Sequence, residues 1–180
     1  MKNKWILYVL GLALLFIVAT AIYENVGKDY VNDSVDSEEK EANMAPDFTV
    51  YDLEGNAVSL SDYYGQPVVL NFWASWCGPC KSEMPDFQKI YEEYKDEIVF
   101  LIVNLTDNSQ ETVEKASAYI ESQGYTFPVY YDTDLEGAYA YSVNSVPRTY
   151  FIDSEGRLIA QAKRAIDETL LLKGIGMILE

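Results

Sequence analysis

Cys77 and Cys80 are the only cysteines in the chain, and two residues separate them within Trp76-Cys77-Gly78-Pro79-Cys80. The apolar run Val68-Val69-Leu70-Asn71-Phe72-Trp73 comes just before and reads as a buried strand. From Cys80 onward Met84, Phe87, Tyr91 and Tyr94 recur at helical spacing and lay one face on a sheet. Cys77 therefore stands where a strand ends and a helix begins. Unpaired amides and the positive end of the helix dipole favour a thiolate there, which lowers the thiol pKa. Cys80, one turn further in, is placed to attack a mixed disulfide formed on Cys77. This is dithiol–disulfide exchange chemistry. Three blander uses compete with it. A structural bridge across so short a loop would constrain the unfolded chain little. Half a zinc site would lack partners, since the chain has no histidine and no further cysteine. Chance spacing is the third, and the strand–turn–helix setting argues against it.

The elements that must position this pair follow from periodicity and turn residues. Phe48, Val50 and Tyr51 suggest a short strand, Glu54-Gly55-Asn56 a turn before Val58, and Leu60-Ser61-Asp62-Tyr63 a helical turn. Gly65 and Pro67 break that turn ahead of the central strand. Pro85 lies inside the helix that starts at the cysteines and predicts a kink. The helix runs to about Tyr94, and Ile98 to Val103 follows as a second buried, parallel strand. Asn108 and Glu111 resemble a capping box for a helix through Val113, Ala116, Ser117 and Ile120, which Gly124 stops. Phe127 to Tyr131 reads as a third strand and Leu135 to Tyr141 as a short helix. Arg148 to Ile152 and Leu158 to Ala162 flank the turn Ser154-Glu155-Gly156-Arg157 and form an antiparallel hairpin. Ile166, Leu170, Ile175 and Ile178 stripe the last helix, weakly interrupted by Gly174 and Gly176. Alternating strands and helices ending in a hairpin give an α/β fold, a mixed sheet with helices on both faces.

The 180 residues leave room for one ordinary domain and appendages. Lys2 and Lys4 precede the uncharged apolar stretch Trp5 to Tyr23, long enough to cross a bilayer as a helix. The lysines before it and the acidic residues after it put the N-terminus inside. Residues 1–23 are thus read as a membrane anchor. A cleaved signal peptide is the alternative, because Ala19-Thr20-Ala21 resembles a processing site. No cysteine follows the apolar stretch until Cys77, which excludes a lipoprotein. Residues 24–44, rich in Asp, Glu, Asn and Ser, read as a flexible acidic tether, and 45–180 as the folded domain. The expected location is the cell membrane, single-pass, with the domain on the extracytoplasmic side. With 29 acidic and 13 basic residues the formal charge is −16, which argues against nucleic acid as a partner.

Trp76-Cys77-Gly78-Pro79-Cys80 matches the active-site motif of the thioredoxin superfamily. Val146-Pro147 followed by Arg148 to Asp153 resembles that family's cis-proline loop and the strand it leads into. From Ala45 on, the chain most resembles the membrane-anchored TlpA/ResA-like branch of extracytoplasmic thiol–disulfide oxidoreductases. The matching pieces are Ala45-Pro46-Asp47-Phe48, Leu60 to Tyr63, Cys80-Lys81-Ser82-Glu83-Met84-Pro85 and the insert before Phe127-Pro128. The resemblance implies a thioredoxin-like sheet with an inserted crossover helix, a redox-active Cys77–Cys80 disulfide, and no metal or other cofactor. It also implies an active-site loop of Trp76, Gly78 and Pro79 facing Val146 and a cis Pro147. Trp76 is read as an exposed platform, against one more core tryptophan.

Two departures matter. Thioredoxins proper carry an aspartate where this chain has Asn71, which cannot exchange a proton. Glu83, three residues after Cys80 and on the same helix face, resembles the glutamate that takes part in proton transfer in the TlpA/ResA-like branch. If buried, it is expected to have a raised pKa and to oppose the helix dipole at the cysteines. A solvated glutamate is the alternative. Arg148 stands where the family often has threonine, either steadying a thiolate, meeting an acidic partner, or lying on the surface. The implied function is reduction of protein disulfides outside the cytoplasmic membrane, in apocytochrome c or in cell-envelope and spore proteins. An integral-membrane thiol donor of the CcdA type would supply electrons. A disulfide-donating oxidase and a non-enzymatic binding module are the competing readings.

Overall fold

In the computed structural model, which describes residues 44–179, the run Val68–Trp73 forms a strand (β3) buried along its whole length. The expected anchor, and the tether up to residue 43, lie outside the described residues. Among the described residues no helix is long and apolar enough to cross a membrane. Met44, read as the end of the tether, instead forms an antiparallel bridge with Arg157.

β3 sits near the middle of a seven-stranded sheet. The other strands are β1 (Thr49–Tyr51), β2 (Ala57–Ser59), β4 (Val99–Asn104), β5 (Val129–Tyr131), β6 (Arg148–Ile152) and β7 (Leu158–Ala162). Their order is β2-β1-β5-β4-β3-β6-β7. β3, β4 and β5 run parallel, whereas β6 and β7 continue the sheet antiparallel on the other side of β3. Side chains alternate across a strand, so β3 feeds two cores. Val69 and Trp73 join the core under helices α1 (Gly78–Tyr94), α2 (Val113–Gln123) and α4 (Glu168–Ile178). Val68, Leu70 and Phe72 join the opposite core, with Phe48, Leu60 and Tyr141 beside helix α3 (Glu136–Ala140). By the same alternation Asn71 points into the first core, under α1.

α1 begins at the cysteines, continues through Pro85 and buries Cys80, Glu83, Met84, Phe87 and Ile90. Tyr91 and Tyr94 only flank that core. The expected capping box does not form at α2. Asp107 accepts the backbone N–H groups of Ser109, Gln110 and Glu111, each at 2.9 Å, and turns the chain with Asn108 at a φ of 58°. The cap is Thr112, whose hydroxyl accepts the Lys115 N–H, and Gly124 closes the helix in the left-handed conformation.

The stripe of α4 is also shifted from its expected position. Leu171, Gly174, Ile175 and Ile178 are buried, whereas Leu170 is exposed and Ile166 precedes the helix. Leu170 instead donates its N–H to the capping Asp167. Gly174 is where α4 crosses the sheet most closely, because a methyl group there would overlap the Phe151 ring. A Gly174→Ala chain should lose about 1–3 kcal/mol through overpacking. Gly176 has open space where its Cβ would stand. Gly176→Ala should therefore gain about 0.5–1 kcal/mol of helix stability. Urea denaturation of the two variants checks the pair, and equal effects would contradict the packing at Gly174.

Candidate active site

The end of β3 delivers Cys77 to the N-cap of α1, as the strand–turn–helix reading required. Cys77 and Cys80 are joined as a disulfide with their Cα atoms 5.3 Å apart. The Cys80 N–H points at the Cys77 sulfur at 3.2 Å, the capping role that a thiolate would fill more strongly. The two cysteines differ in access. Cys77 keeps 4% of its surface and Cys80 none, while Trp76 beside them is 50% exposed. Gly78 and Pro79 lie exposed in the first turn. Across from them the Val146–Pro147 peptide is cis, and the Val146 carbonyl oxygen lies 3.7 Å from Cys77 Sγ. Arg148 turns back on its own loop. Its guanidinium donates to the Ser145 carbonyl at 3.2 Å and to Asn144 Oδ1 at 3.1 Å, so in this state it braces the loop.

Glu83 is 2% exposed and points into the interior beside β3. Oε1 accepts from Asn71 Nδ2 at 2.9 Å, and Oε2 accepts the Ile166 N–H at 3.0 Å. Asn71 Nδ2 also donates to Thr149 Oγ1 at 3.0 Å. Loss of water pushes the Glu83 carboxyl up from 4.5 to about 7, and the two hydrogen bonds only partly oppose this. Glu83 is thus not the solvated side chain of the alternative reading. Asp86, further along α1, accepts the Glu168 N–H at 3.2 Å.

Sequence reasoning passed over three contributors to this site. Thr149 is the register partner of Asn71, and a polar residue inside the apolar run of β3 signalled that a buried partner was needed. The Ile166 amide left no signal, because it is a main-chain group brought in by the approach to α4. Glu111 was misread as a cap. It is fully buried, and its carboxylate accepts Ser75 N–H at 3.0 Å, Ser75 Oγ–H at 2.9 Å and Asn104 Nδ2 at 3.1 Å. It thereby holds the backbone two residues ahead of Cys77. Among the described residues no group of acidic, cysteine or histidine side chains is arranged to hold a metal.

The raised Glu83 carboxyl sets a pH dependence of folding. Between about pH 4.5 and 7 the unfolded chain has released this proton and the folded chain has not. Glu83 therefore contributes stability that is fully present below its unfolded pKa and is lost as pH rises through 7. Oxidised Glu83→Gln, which cannot ionise, should gain on the parent by on the order of 3 kcal/mol across that window. Chemical denaturation of both proteins at a series of pH values measures the difference. Parallel stability curves would place Glu83 in water.

Residues 42–161 match the family described as the AhpC/TSA family. Thioredoxin-like protein YneN of Bacillus subtilis is 34% identical over 157 residues, 87% of each chain. Thiol-disulfide oxidoreductase ResA of Geobacillus kaustophilus is 35% identical over 169 residues, 94% of this chain and 90% of that one. The crystal structure of StoA from Bacillus subtilis superposes with a TM-score of 0.63 at 27% identity, covering 74% of this chain and 98% of that one. With a Cys77–Cys80 disulfide at the N-terminus of α1 on this sheet, the chain belongs to the AhpC/TSA family, as a thioredoxin-fold thiol–disulfide oxidoreductase of the ResA type.

Proposed function

We propose that the protein is a membrane-tethered reductase of protein disulfides outside the cytoplasmic membrane. Cys77 is the attacking thiolate, Cys80 the resolving thiol and Glu83 the proton acceptor. The observation that carries these roles is the asymmetry of the pair. Cys77 caps the helix beside exposed Trp76 and the Val146 carbonyl, whereas Cys80 is sealed, one turn before a buried carboxyl. In the reduced enzyme Cys77 attacks one sulfur of a substrate disulfide. A Cys77–substrate disulfide forms, and the other substrate sulfur leaves as a thiolate that takes a proton. Cys80 passes its proton to Glu83 and attacks Cys77 Sγ. The second substrate sulfur leaves as a thiolate that takes a proton, and the Cys77–Cys80 disulfide remains. Two electrons have moved to the substrate.

The Val146 carbonyl and Trp76 suit an extended polypeptide laid across the cysteines, with main-chain groups in reach of the loop. Apocytochrome c cysteines and cell-envelope or spore proteins are the proposed substrate classes. An oxidising exterior supplies no electrons, so an integral-membrane thiol donor of the CcdA type must re-reduce the pair. The stretch Trp5 to Tyr23 behind Lys2 and Lys4 supports an uncleaved anchor that holds the domain near that donor.

Trapping tests the order of attack. Cys80→Ser should accumulate a mixed disulfide through Cys77, and Cys77→Ser none, as read by mass spectrometry. Adducts formed equally through both would overturn the assignment. In Glu83→Gln the first attack should survive while resolution slows by roughly 100-fold, the lower range for general base catalysis. A reduction potential near that of thioredoxin, about −270 mV, supports the reducing direction, and one near about −120 mV would reverse it. The anchor has its own test. N-terminal sequencing of the protein from cell membranes should begin at or near Met1, and a start at Ile22 would show cleavage.

A further inference from the structure

We propose that the Asn71 side-chain amide reverses when Glu83 changes protonation state, so that Asn71 and Thr149 hold Glu83 equally as a carboxylate and as an acid. The starting point is a mismatch of donors and acceptors. Glu83 Oε1 faces Asn71 Nδ2 and Oε2 faces the Ile166 N–H, so both oxygens accept from N–H donors. That suits the carboxylate. A protonated Glu83 must also donate its O–H, and the two groups that now face its oxygens, Asn71 Nδ2 and the Ile166 N–H, are both donors. An unmade hydrogen bond in a site this dry is costly.

The Ile166 amide belongs to the main chain and can only donate. Asn71 is different, because a half-turn of its amide exchanges Nδ2 for Oδ1 with almost no change of shape. Oδ1 would then accept the Glu83 O–H along the line where Nδ2 now donates at 2.9 Å. The same turn brings Oδ1 to Thr149 Oγ1, now 3.0 Å from Nδ2. A hydroxyl serves as either donor or acceptor, so Thr149 changes role by rotating its hydrogen. In each state the Asn71 atom that faces Glu83 and Thr149 is matched in kind to both of them. An aspartate at position 71 would bring a second acid to the same dry site and has no N–H donor, and a leucine offers neither donor nor acceptor.

The groups around Glu83 leave this switch without a charged competitor in contact. β3 contributes Asn71, β6 contributes Thr149 and the segment before α4 contributes the Ile166 amide, none of them charged. On α1, Asp86 and Lys89 lie further along, bonded to Glu168 of α4 at the protein surface, and Asp167 caps α4 from an exposed position. Lys163 and Arg164 are exposed. Cys77 and Cys80 titrate only when reduced.

The inference deepens the role given to Glu83 above, because accepting the Cys80 proton requires that the resulting acid find a partner at once. It is tested on oxidised protein, where no thiol titrates, so its failure and that of the trapping experiment are separate results. The full chain, labelled with 13C and 15N in detergent micelles, is titrated by NMR while the Glu83 carboxyl carbon reports protonation. Above the midpoint the Asn71 amide protons should show contacts to Glu83 and Thr149 protons, and below it those contacts should disappear with the same midpoint. In Thr149→Val the Nδ2-facing state leaves an N–H unpaired, a worse loss than a carbonyl with one free lone pair. The Glu83 midpoint should therefore rise by roughly half a pH unit. Asn71 contacts that persist unchanged through the Glu83 midpoint would overturn the proposal. So would the absence of any Glu83 transition over the pH range where the protein stays folded, or a midpoint that falls or stays in Thr149→Val.

Discussion

A carboxylate buried beneath a redox-active cysteine pair needs donors that the pair itself cannot supply. Glu83 finds one in Asn71 and another in the Ile166 amide. Much of the architecture serves that requirement. β3 must be central so that Asn71 is sealed, β6 must run beside it to bring Thr149 opposite, and the chain must return before α4 to offer a main-chain N–H. The close crossing of α4 at Gly174 over Phe151 belongs to the same closure. What results is an acid whose dry surroundings raise its pKa to about 7, within one helical turn of Cys80.

The active-site loop is braced separately. Glu111 holds Ser75 from the α2 side, and the Asn144–Arg148 contacts brace the loop that carries the cis Val146–Pro147 peptide. Cys77 thus lies between two segments distant in sequence from each other and from β3. Neither brace touches sulfur. Each fixes a segment that flanks the disulfide.

Much of this was legible in the chain. The run from Val68 to Trp73, the cysteine spacing and the hairpin around Gly156 gave strand, helix start and antiparallel edge at nearly their observed positions, because periodicity and turn chemistry agree there. Glu83 was legible through spacing from Cys80. The misreadings are of local patterns that another contact overrides. Asn108 and Glu111 have capping-box spacing, yet Asp107 captured three N–H groups and freed Glu111 to turn inward. Leu170 and Leu171 are equally apolar, and Leu171 is the one that shares the buried face with Gly174, Ile175 and Ile178. The Ile166 amide has no side-chain signature at all.

The Glu111–Ser75 contact makes the inserted crossover something other than an interchangeable module. Its carboxylate is the acceptor for the part-buried Ser75 N–H and for the fully buried Asn104 Nδ2. A chimera that replaced the segment between β4 and β5 with a shorter crossover would remove that acceptor, at about 1–3 kcal/mol for the buried Asn104 amide alone. The damage would fall on the strand ends that present Cys77, not on the excised helix. Recombination among thioredoxin folds therefore has a seam here that respects neither secondary structure nor the boundary of the insert, and a viable graft must carry its own acceptor for residue 75.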